Sequence, residues 1–276
     1  MSRNTAAIGI IDSGVGGLAI AKAIHQHLPN EKLIYLADNY YAPYGEKTAY
    51  FIQQRINFIV QKFIDKGCKA IVIACNTATV IAIDQLRAQV TIPIIGVEPA
   101  IKPASKQSEN KKIGILVTQA TSENKRFLTL IKTHQNDNDI FIQPCAGLVE
   151  LIEQGQFTSP VCQQLLQQYI QPLLQKNIDT LVLGCTHYPF LKHQIAALIG
   201  DNINIIDGAS AVAIQLGNIL YQHNLSAASR EKATTKIDFY CSKKTPNYQQ
   251  LFAQLFYAEP QQSINLQHFD QNQIEV

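Results

Sequence analysis

Ala70-Ile71-Val72-Ile73-Ala74-Cys75-Asn76-Thr77 is an apolar run that ends in a cysteine followed by two small polar residues. A matching stretch, Thr180-Leu181-Val182-Leu183-Gly184-Cys185-Thr186-His187, occurs later in the chain. Short runs of this kind, rich in Ile, Val and Leu, are typical of strands that are covered on both faces of a parallel sheet. Open α/β sheets hold their ligands at the carboxyl ends of the strands. The two stretches therefore predict equivalent strands that each deliver a cysteine to a ligand site.

Further apolar runs alternate with helical patterns along most of the chain, which predicts the α/β fold class with mainly parallel sheets. The runs occupy residues 6–11, 32–37, 92–97, 113–117 and 203–206. Apolar residues between positions 51 and 64 recur at helical spacing, and Gly67 stands where a C-terminal cap belongs. Ser159-Pro160 is typical of an N-cap followed by proline at the first helical position, so we expect a helix from there towards Leu174.

The chain also repeats itself. Ile8-Gly9-Ile10-Ile11 is echoed by Ile113-Gly114-Ile115-Leu116, just as the two cysteine stretches echo each other. We expect two similar α/β domains related by pseudo-twofold symmetry, with the active site in the cleft between them. The predicted domains are residues 1–97 and 98–207.

The predicted crossover between the domains lies in the polar stretch 98–112, which contains Pro99 and Pro103 and is typical of a linker. From about residue 224 onward the pattern weakens around one strand-like run, residues 236–241. Periodicity alone does not place this tail.

Composition restricts the classes of function. With 46% hydrophobic and 16% charged residues, the chain has enough apolar sequence to bury a full core. Its 23 basic and 21 acidic residues are spread along the chain and form no basic footprint for nucleic acid or an anionic membrane surface. Asp12 interrupts the first apolar run well short of a signal-peptide core or a membrane span. We expect a cytoplasmic protein with no nucleic-acid or membrane partner.

The sequence contains six cysteines but no CxxC pair and no zinc-finger spacing. Neither disulfides nor a metal site are predicted, so the thiols are expected to be free. Cysteine is among the most frequently buried residue types, and a single cysteine is most simply explained as part of the core. Two cysteines in matching contexts at repeated strand ends instead favour a catalytic role for Cys75 and Cys185.

A matched pair of thiols suits racemisation at a carbon centre. The reaction needs a base on one face of the stereocentre and an acid on the other, which two like residues can supply. A free thiol titrates near ~8.5, so one member can be a thiolate while its partner keeps its proton. Each turnover would exchange the two states.

Polar residues after the first predicted strand could serve the first thiol. Asp12-Ser13-Gly14-Val15-Gly16-Gly17 predicts a tight strand-to-helix loop with exposed backbone N–H groups, which is a natural carboxylate site. The loop lacks the G-x-G-x-x-G spacing of a dinucleotide site. Asp12 is either a turn residue or a group that orients or accepts a proton near Cys75.

Two more segments carry candidate side chains. In the loop at residues 38–45, Pro43 and Gly45 predict a turn, and Tyr44 serves either packing or binding. His187 is either a structural hydrogen-bonding residue or a group that adjusts the pKa of Cys185.

Four motifs, in this order and at these spacings, resemble those of glutamate racemase. They are Asp12-Ser13-Gly-Val-Gly-Gly-Leu18, Asp38-x4-Pro43-Tyr44-Gly45, Ala74-Cys75-Asn76-Thr77-Ala78 and Gly184-Cys185-Thr186-His187-Tyr188-Pro189. The resemblance spans most of the chain. It separates the chain from aspartate racemases, which share the two-cysteine layout but usually lack the first and last of these motifs.

The resemblance implies an isomerase of two domains that interconverts L- and D-glutamate without pyridoxal phosphate, metal or nucleotide. It also implies that D-glutamate is supplied for bacterial peptidoglycan and that the enzyme is a homodimer. The segment 208–276 is expected to pack back onto the first domain.

The resemblance further implies roles for individual residues. Cys75 would deprotonate D-glutamate and Cys185 would deprotonate L-glutamate, assisted by Asp12 and His187 respectively. The family has an assisting acidic residue before the second cysteine, for which spacing favours Glu153 over the nearby Glu150. Hydroxyls, amides and one aspartate suit a substrate with two carboxylates and one ammonium. The implied substrate-binding residues are Asp12, Ser13, Pro43, Tyr44, Gly45, Asn76, Thr77, Thr186 and His187.

Other functions remain open at this point. Racemisation of aspartate or a hydantoin, or a one-thiol isomerase or decarboxylase, would use the same scaffold, although one-thiol chemistry does not need Cys75 and Cys185 in matching contexts. A binding protein made of two α/β domains is the non-enzymatic alternative. A thiol-redox role fits poorly, because no second cysteine follows either candidate at short spacing.

Overall fold

A computed structural model describes residues 3–228, 237–257 and 264–269 of the chain. The strands are β1 (Ile8–Asp12), β2 (Leu33–Ala37), β3 (Ala70–Ile73), β4 (Ile94–Gly96), β5 (Lys112–Val117), β6 (Asp139–Pro144), β7 (Thr180–Leu183), β8 (Asn204–Ile206), β9 (Ile237–Cys241) and β10 (Leu266–His268). The α-helices are α1 (Leu18–His27), α2 (Ala49–Asp65), α3 (Asn76–Gln89), α4 (Ile101–Gln107), α5 (Gln119–Ser122), α6 (Lys125–His134), α7 (Leu148–Glu153), α8 (Pro160–Leu174), α9 (Lys192–Ile199), α10 (Ala209–Gln222) and α11 (Pro246–Tyr257). Short 3₁₀ helices occur at Arg3–Thr5, Tyr44–Glu46 and Tyr188–Leu191.

The described residues divide into two compact units. The first unit comprises residues 1–97 and 209–276, and the second comprises residues 98–208. Each unit contains one sheet.

The sheet of the first unit has the strand order β10-β9-β2-β1-β3-β4, and every strand pair in it is parallel. Ile10 on the central strand β1 lies opposite Tyr35 on β2 and opposite Val72 on β3. These three residues are fully buried, as expected for a parallel sheet covered by helices on both faces.

The sheet of the second unit has the order β6-β5-β7-β8 and is also parallel throughout. This order matches β2-β1-β3-β4 of the first unit, with the first strand of each unit in the interior of the sheet and the third strand beside it. The predicted α/β class with mainly parallel sheets is therefore confirmed. The internal repeat of the sequence corresponds to a repeated strand order.

Helix α2 shows how the sequence sets local structure. The Thr48 hydroxyl caps its start by accepting a hydrogen bond from the Phe51 N–H at 3.2 Å. Ile52, Ile56 and Ile59 lie on its buried face, where each buried side chain contributes about 1.5–3 kcal/mol. Gly67 follows the helix at a φ of 74°, a left-handed conformation that glycine adopts without strain.

The stretch 98–112 begins where the second unit begins, but it is not a simple linker, because it contains helix α4. Ile101 and Ala104 on α4 are fully buried. Pro103 lies in the first turn of the helix, where a missing N–H costs no intrahelical hydrogen bond. Because the stretch is polar in composition, nothing in its sequence indicated that Ile101 and Ala104 are buried.

The predicted strand at residues 236–241 corresponds to β9, which begins at Ile237, while Lys236 lies outside the described residues. Strands β6 and β10 had no prediction. β6 is half-exposed and lies at an edge of its sheet, and β10 is a short edge strand. Both lack the continuous apolar run that marks the interior strands.

A buried ion pair joins separate segments of the first unit. The ammonium of Lys69 contacts the Glu31 carboxylate at 2.5 Å, and it donates to the carbonyl oxygens of Leu225 at 2.7 Å and Asn4 at 2.9 Å. Glu31 also accepts a hydrogen bond from the Ala227 N–H at 2.8 Å. The buried ammonium is therefore surrounded by one carboxylate and two carbonyl oxygens, which compensate its charge. The pair fastens the chain after α10 to the start of β3.

No helix in the described ranges is long and apolar enough to cross a membrane.

Candidate active site

Cys75 stands between β3 and α3 in the first unit. Its backbone is extended, at φ −116° and ψ 120°, and it occupies the N-cap position of the 14-residue helix α3. The thiol is 5% exposed and donates a hydrogen bond to the Ser13 hydroxyl at 3.8 Å. The amino end of a helix carries partial positive charge, which favours the thiolate form of a cysteine. The position therefore suits a thiol that must lose its proton.

The loop after β1 brings Asp12 and Ser13 to the same edge of the sheet as Cys75, because β1 and β3 are parallel neighbours. Asp12 is fully buried, and its carboxylate accepts a hydrogen bond from the Gly14 N–H at 2.8 Å. The Tyr35 hydroxyl, from β2, donates to the Gly14 carbonyl at 2.8 Å. Two hydrogen bonds on Gly14 thus fix the loop that carries Ser13.

Gly17 ends this loop at a point of close approach. A Cβ atom at position 17 would lie 2.7 Å from the Asp12 Cβ and 2.9 Å from the Tyr35 hydroxyl. Any larger residue would push Asp12 or Tyr35 aside. The glycine is needed here for space rather than for an unusual backbone angle.

The loop after β2 is held by a buried ion pair. Asp38 accepts two hydrogen bonds from the Arg55 guanidinium, both at 2.7 Å, and a third from the Tyr44 hydroxyl at 2.6 Å. Asp38 and Arg55 are 0% and 1% exposed, and Tyr44 is 1% exposed. Burial, followed by the charge of Asp38, raises the pKa of Tyr44 well above its ordinary value, so the phenol remains a donor. Pro43 precedes the short helix Tyr44–Glu46, which also contains Gly45.

Asn76 and Thr77 form the first turn of α3, directly after Cys75. Both are buried, at 4% and 3% exposure. Among the residues that the structure describes, none forms a hydrogen bond with the side-chain oxygen of Asn76. A buried amide oxygen without a partner costs about 1–3 kcal/mol, which a ligand donor would remove.

Cys185 follows β7 in the second unit, as Cys75 follows β3 in the first. Its thiol is 6% exposed and lies 3.8 Å from Nδ1 of His187. The other ring nitrogen of His187, Nε2, lies 2.5 Å from the carboxylate of Glu153. Cys185, His187 and Glu153 therefore form a continuous chain of contacts.

The charge state of His187 follows from these contacts. Burial alone would lower the pKa of His187, but the hydrogen bonds and charges of Cys185 and Glu153 raise it well above its ordinary value of 6.5. The imidazole is thus held as a cation beside the thiol.

The residues around Cys185 fix its place. Thr186 is buried at 6% exposure. The Tyr188 hydroxyl reaches the carbonyl oxygens of Val117 at 3.3 Å and Cys145 at 3.2 Å, so it ties the ends of β5 and β6 to the loop after β7. A Cβ atom on Gly184 would lie 2.8 Å from the Leu116 carbonyl oxygen, which explains the glycine before Cys185.

The remaining cysteines lie in environments that disfavour a thiolate. Burial raises the pKa of Cys68 and of Cys241 to about 11. It also raises the pKa values of Cys145 and Cys162. All six cysteines are free thiols. These four fit the core role that isolated cysteines usually have.

The structure thus brings the predicted site residues together within each unit. Cys75 contacts Ser13 in the first unit, and His187 contacts Cys185 and Glu153 in the second. Of the two acidic residues on α7, Glu153 is the one that contacts His187. Within residues 3–228, 237–257 and 264–269, no group of three or more His, Cys, Asp or Glu side chains is arranged to hold a metal ion.

Sequence reasoning missed two side chains that hold the loops. Arg55 is a charged residue on the buried face of α2, between Ile52 and Ile59, and this break in an apolar face was the available signal. Tyr35 lies inside an apolar strand, where nothing in the pattern distinguishes a tyrosine that donates a hydrogen bond from one that only packs.

The chain matches the family described as Asp/Glu/Hydantoin racemase over residues 8–216. It is 45% identical over 235 residues to a glutamate racemase of Ectopseudomonas mendocina (strain ymp), covering 85% of this chain and 89% of that protein. The crystal structure of glutamate racemase isoform RacE1 from Bacillus anthracis is similar with a TM-score of 0.86 at 29% identity, covering 96% of this chain and 98% of that one. A glutamate racemase from Francisella tularensis in complex with D-glutamate gives 0.84 at 28% identity, with 98% and 100% covered. The resemblance carried by the four sequence motifs is thereby confirmed, and the chain belongs to the Asp/Glu/Hydantoin racemase family of isomerases.

Proposed function

We propose that this chain is a cofactor-independent glutamate racemase that uses Cys75 and Cys185 as its two bases. One observation carries the proposal: the two thiols occupy equivalent positions, each after the third strand of its own parallel sheet. The relatives named glutamate racemase support the substrate, and the Francisella tularensis enzyme was crystallised with D-glutamate.

The proposed reaction moves one proton off the Cα atom and another onto its opposite face. The Cys75 thiolate removes the Cα proton of D-glutamate, and the electron pair that remains at Cα takes the proton of the Cys185 thiol to give L-glutamate. Cys75 ends as a thiol and Cys185 as a thiolate. The reverse reaction uses the same groups in exchanged states, so the proton balance is closed without an external acid or base.

Each thiol has neighbours suited to this exchange. The amino end of α3 favours negative charge on Cys75, and the Ser13 hydroxyl lies beside its sulfur. Cys185 faces the raised-pKa imidazole of His187, which Glu153 supports. Asp12 is the group proposed to assist on the side of Cys75. The two thiols therefore have different neighbours.

Substrate binding is assigned to polar groups of the loops after the strands. Two carboxylates need N–H and O–H donors, and the ammonium needs acceptors such as a carboxylate. Within the described part of the chain, the side-chain oxygen of Asn76 has no hydrogen-bond partner, which supports a place for a ligand donor. The proposed binding residues are Asp12, Ser13, Pro43, Tyr44, Gly45, Asn76, Thr77, Thr186 and His187.

The cellular role follows from the product. We place the enzyme in the cytoplasm, where its free thiols persist, and we propose that it acts as a homodimer. D-glutamate from this reaction would serve peptidoglycan synthesis and hence cell-wall formation and cell shape. Growth of a D-glutamate auxotroph on the cloned gene tests the role, and sedimentation of the purified protein tests the dimer.

The decisive experiment is circular dichroism of the purified protein with L-glutamate in deuterated water, without pyridoxal phosphate or metal. Decay of the signal with deuterium entering Cα is expected for glutamate and not for L-aspartate. Decay with aspartate or a hydantoin instead would move the chain to another substrate of its family. No decay with any of them would overturn the proposal.

The cysteine assignment has its own test. Cys75→Ser and Cys185→Ser should each remove racemisation, whereas a binding protein would keep its affinity for glutamate in both variants. Activity retained in either variant would contradict two-base chemistry.

A further inference from the structure

The ion pair of Asp38 and Arg55 lies in the first unit, at the loop between β2 and α2. Asp38 directly follows β2, and Arg55 lies in the second turn of α2. Both side chains are almost fully buried. Two parallel N–H···O bonds of 2.7 Å join them, which is the geometry that an arginine fork and a carboxylate form best.

The same carboxylate also holds the far end of the loop. The Tyr44 hydroxyl donates to Asp38 at 2.6 Å, although six residues separate the two in sequence. Asp38 therefore joins the two ends of the loop through Tyr44, and Arg55 fixes the orientation of the Asp38 carboxylate. The loop so closed presents Pro43, Tyr44 and Gly45, which the proposed function assigns to substrate binding.

Arg55 is itself immobilised. Its guanidinium carbon lies 4.8 Å from the centre of the Tyr41 ring and 5.4 Å from that of Phe58. Cation–π contacts of this kind hold the plane of the guanidinium, and hence the direction of its fork. The position of Asp38 is in this way determined by α2.

Stability alone does not account for such a pair. Removing two charges from water costs several kcal/mol per ion, and apolar residues of similar size often stabilise a core as well or better. A buried fork is useful where the direction of a carboxylate matters. In this unit the carboxylate in question sets the conformation of a proposed binding loop.

We propose that Arg55 is a positioning residue for glutamate binding, which acts through Asp38 on the loop that contains Tyr44 and Gly45. The inference rests on the proposed function, and it adds a residue that touches no reacting atom. Misplacing the loop weakens binding of substrate and transition state alike, so KM changes while kcat does not.

The test is Arg55→Lys, which keeps the charge but loses the fork. We expect KM for glutamate to rise about tenfold, which corresponds to about 1.4 kcal/mol, with kcat within about threefold of the parent. Hydrogen exchange of the peptide covering residues 38–46 should become faster. Tyr44→Phe leaves the ion pair intact and should raise KM by a smaller factor. This variant provides the test if Arg55→Lys does not fold.

Lys69→Met is the matched control, because it breaks another buried ion pair of the same unit, which lies at the opposite ends of the strands. It should lower thermal stability without changing KM or the exchange of residues 38–46. An unchanged KM in both Arg55→Lys and Tyr44→Phe would overturn the inference, as would an equal rise in Lys69→Met. If the proposed function itself is wrong, the parent protein will not racemise glutamate, which distinguishes that failure from failure of this inference.

Discussion

Replacing Glu153 by glutamine tests how the second thiol is prepared for its role. The side chain keeps its size and loses its charge, so the contact of 2.5 Å with Nε2 of His187 changes from a carboxylate–imidazolium pair to a neutral hydrogen bond. Glu153 is only slightly exposed and His187 is buried, so water does not replace the lost charge.

The size of the effect follows from this contact. A hydrogen bond to a charged group contributes about 1.5–3 kcal/mol, and losing the charge of Glu153 lowers the pKa of His187. The pKa of His187 is raised well above 6.5 in the folded protein. A lower pKa in Glu153→Gln decreases the fraction of His187 that is imidazolium beside Cys185. We expect kcat/KM to fall about 10- to 100-fold, equally in both directions because the equilibrium is unchanged.

Stability should change with pH in a defined sense. A group whose pKa is raised on folding stabilises the protein fully below its unfolded pKa, near 6.5 for His187, and the contribution is lost as pH rises through the folded value. The difference in unfolding free energy between the parent and Glu153→Gln should therefore be largest below about pH 6.5 and decrease at alkaline pH.

The assays are D-glutamate formation as a function of pH and NMR titration of the His187 ring. Glu150→Gln is the control, since it removes the same charge from the same helix, α7. The reasoning is refuted if Glu153→Gln leaves kcat/KM within twofold of the parent and the His187 titration unmoved, or if Glu150→Gln gives the larger loss.

Three further predictions concern the two proposed catalytic thiols, the ion pair of Lys69 and the hydrogen bond of Tyr35. Cys75→Ala and Cys185→Ala should abolish racemisation while Cys241→Ala keeps it, because burial holds the Cys241 thiol in its neutral form; equal losses in all three, measured by polarimetry, would contradict the assignment. Lys69→Met should lower the free energy of unfolding by about 3–5 kcal/mol, since a buried carboxylate loses its partner, and urea denaturation showing less than about 1 kcal/mol would argue against this. Tyr35→Phe should cost about 1–3 kcal/mol by leaving a buried loop carbonyl without its donor, and should reduce kcat as well; full activity would mean that this hydrogen bond does not hold the site.

The interior strands of both sheets were predictable because buried parallel strands appear in the sequence as continuous apolar runs. The runs that became β1, β3, β5 and β7 contain almost nothing but apolar residues, and each is covered on both faces. Strand β6, at a sheet edge and half-exposed, is under no such constraint. Helix α4 was missed for a similar reason, because only a few of its residues pack.

The candidate site was predictable where residues are adjacent in sequence or follow neighbouring parallel strands, as Ser13 and Cys75 do. Cys185 and His187 are two residues apart, so their contact could be expected, whereas the choice between Glu150 and Glu153 depends on which face of α7 meets the imidazole. Arg55 is the clearest limit. A charge on an apolar helix face indicates a buried partner, but the partner, Asp38, is fixed only by the tertiary structure.

The repeated strand order gives the two thiols equivalent positions but separate surroundings. Ser13, beside Cys75, belongs to the first unit, and His187 and Glu153, beside Cys185, belong to the second. A chain built only of L-amino acids cannot form a true mirror image of itself, so mirror-image substrates must be met by non-identical surroundings. Because the neighbours of each thiol belong to its own unit, a substitution around one thiol leaves the neighbours of the other in place.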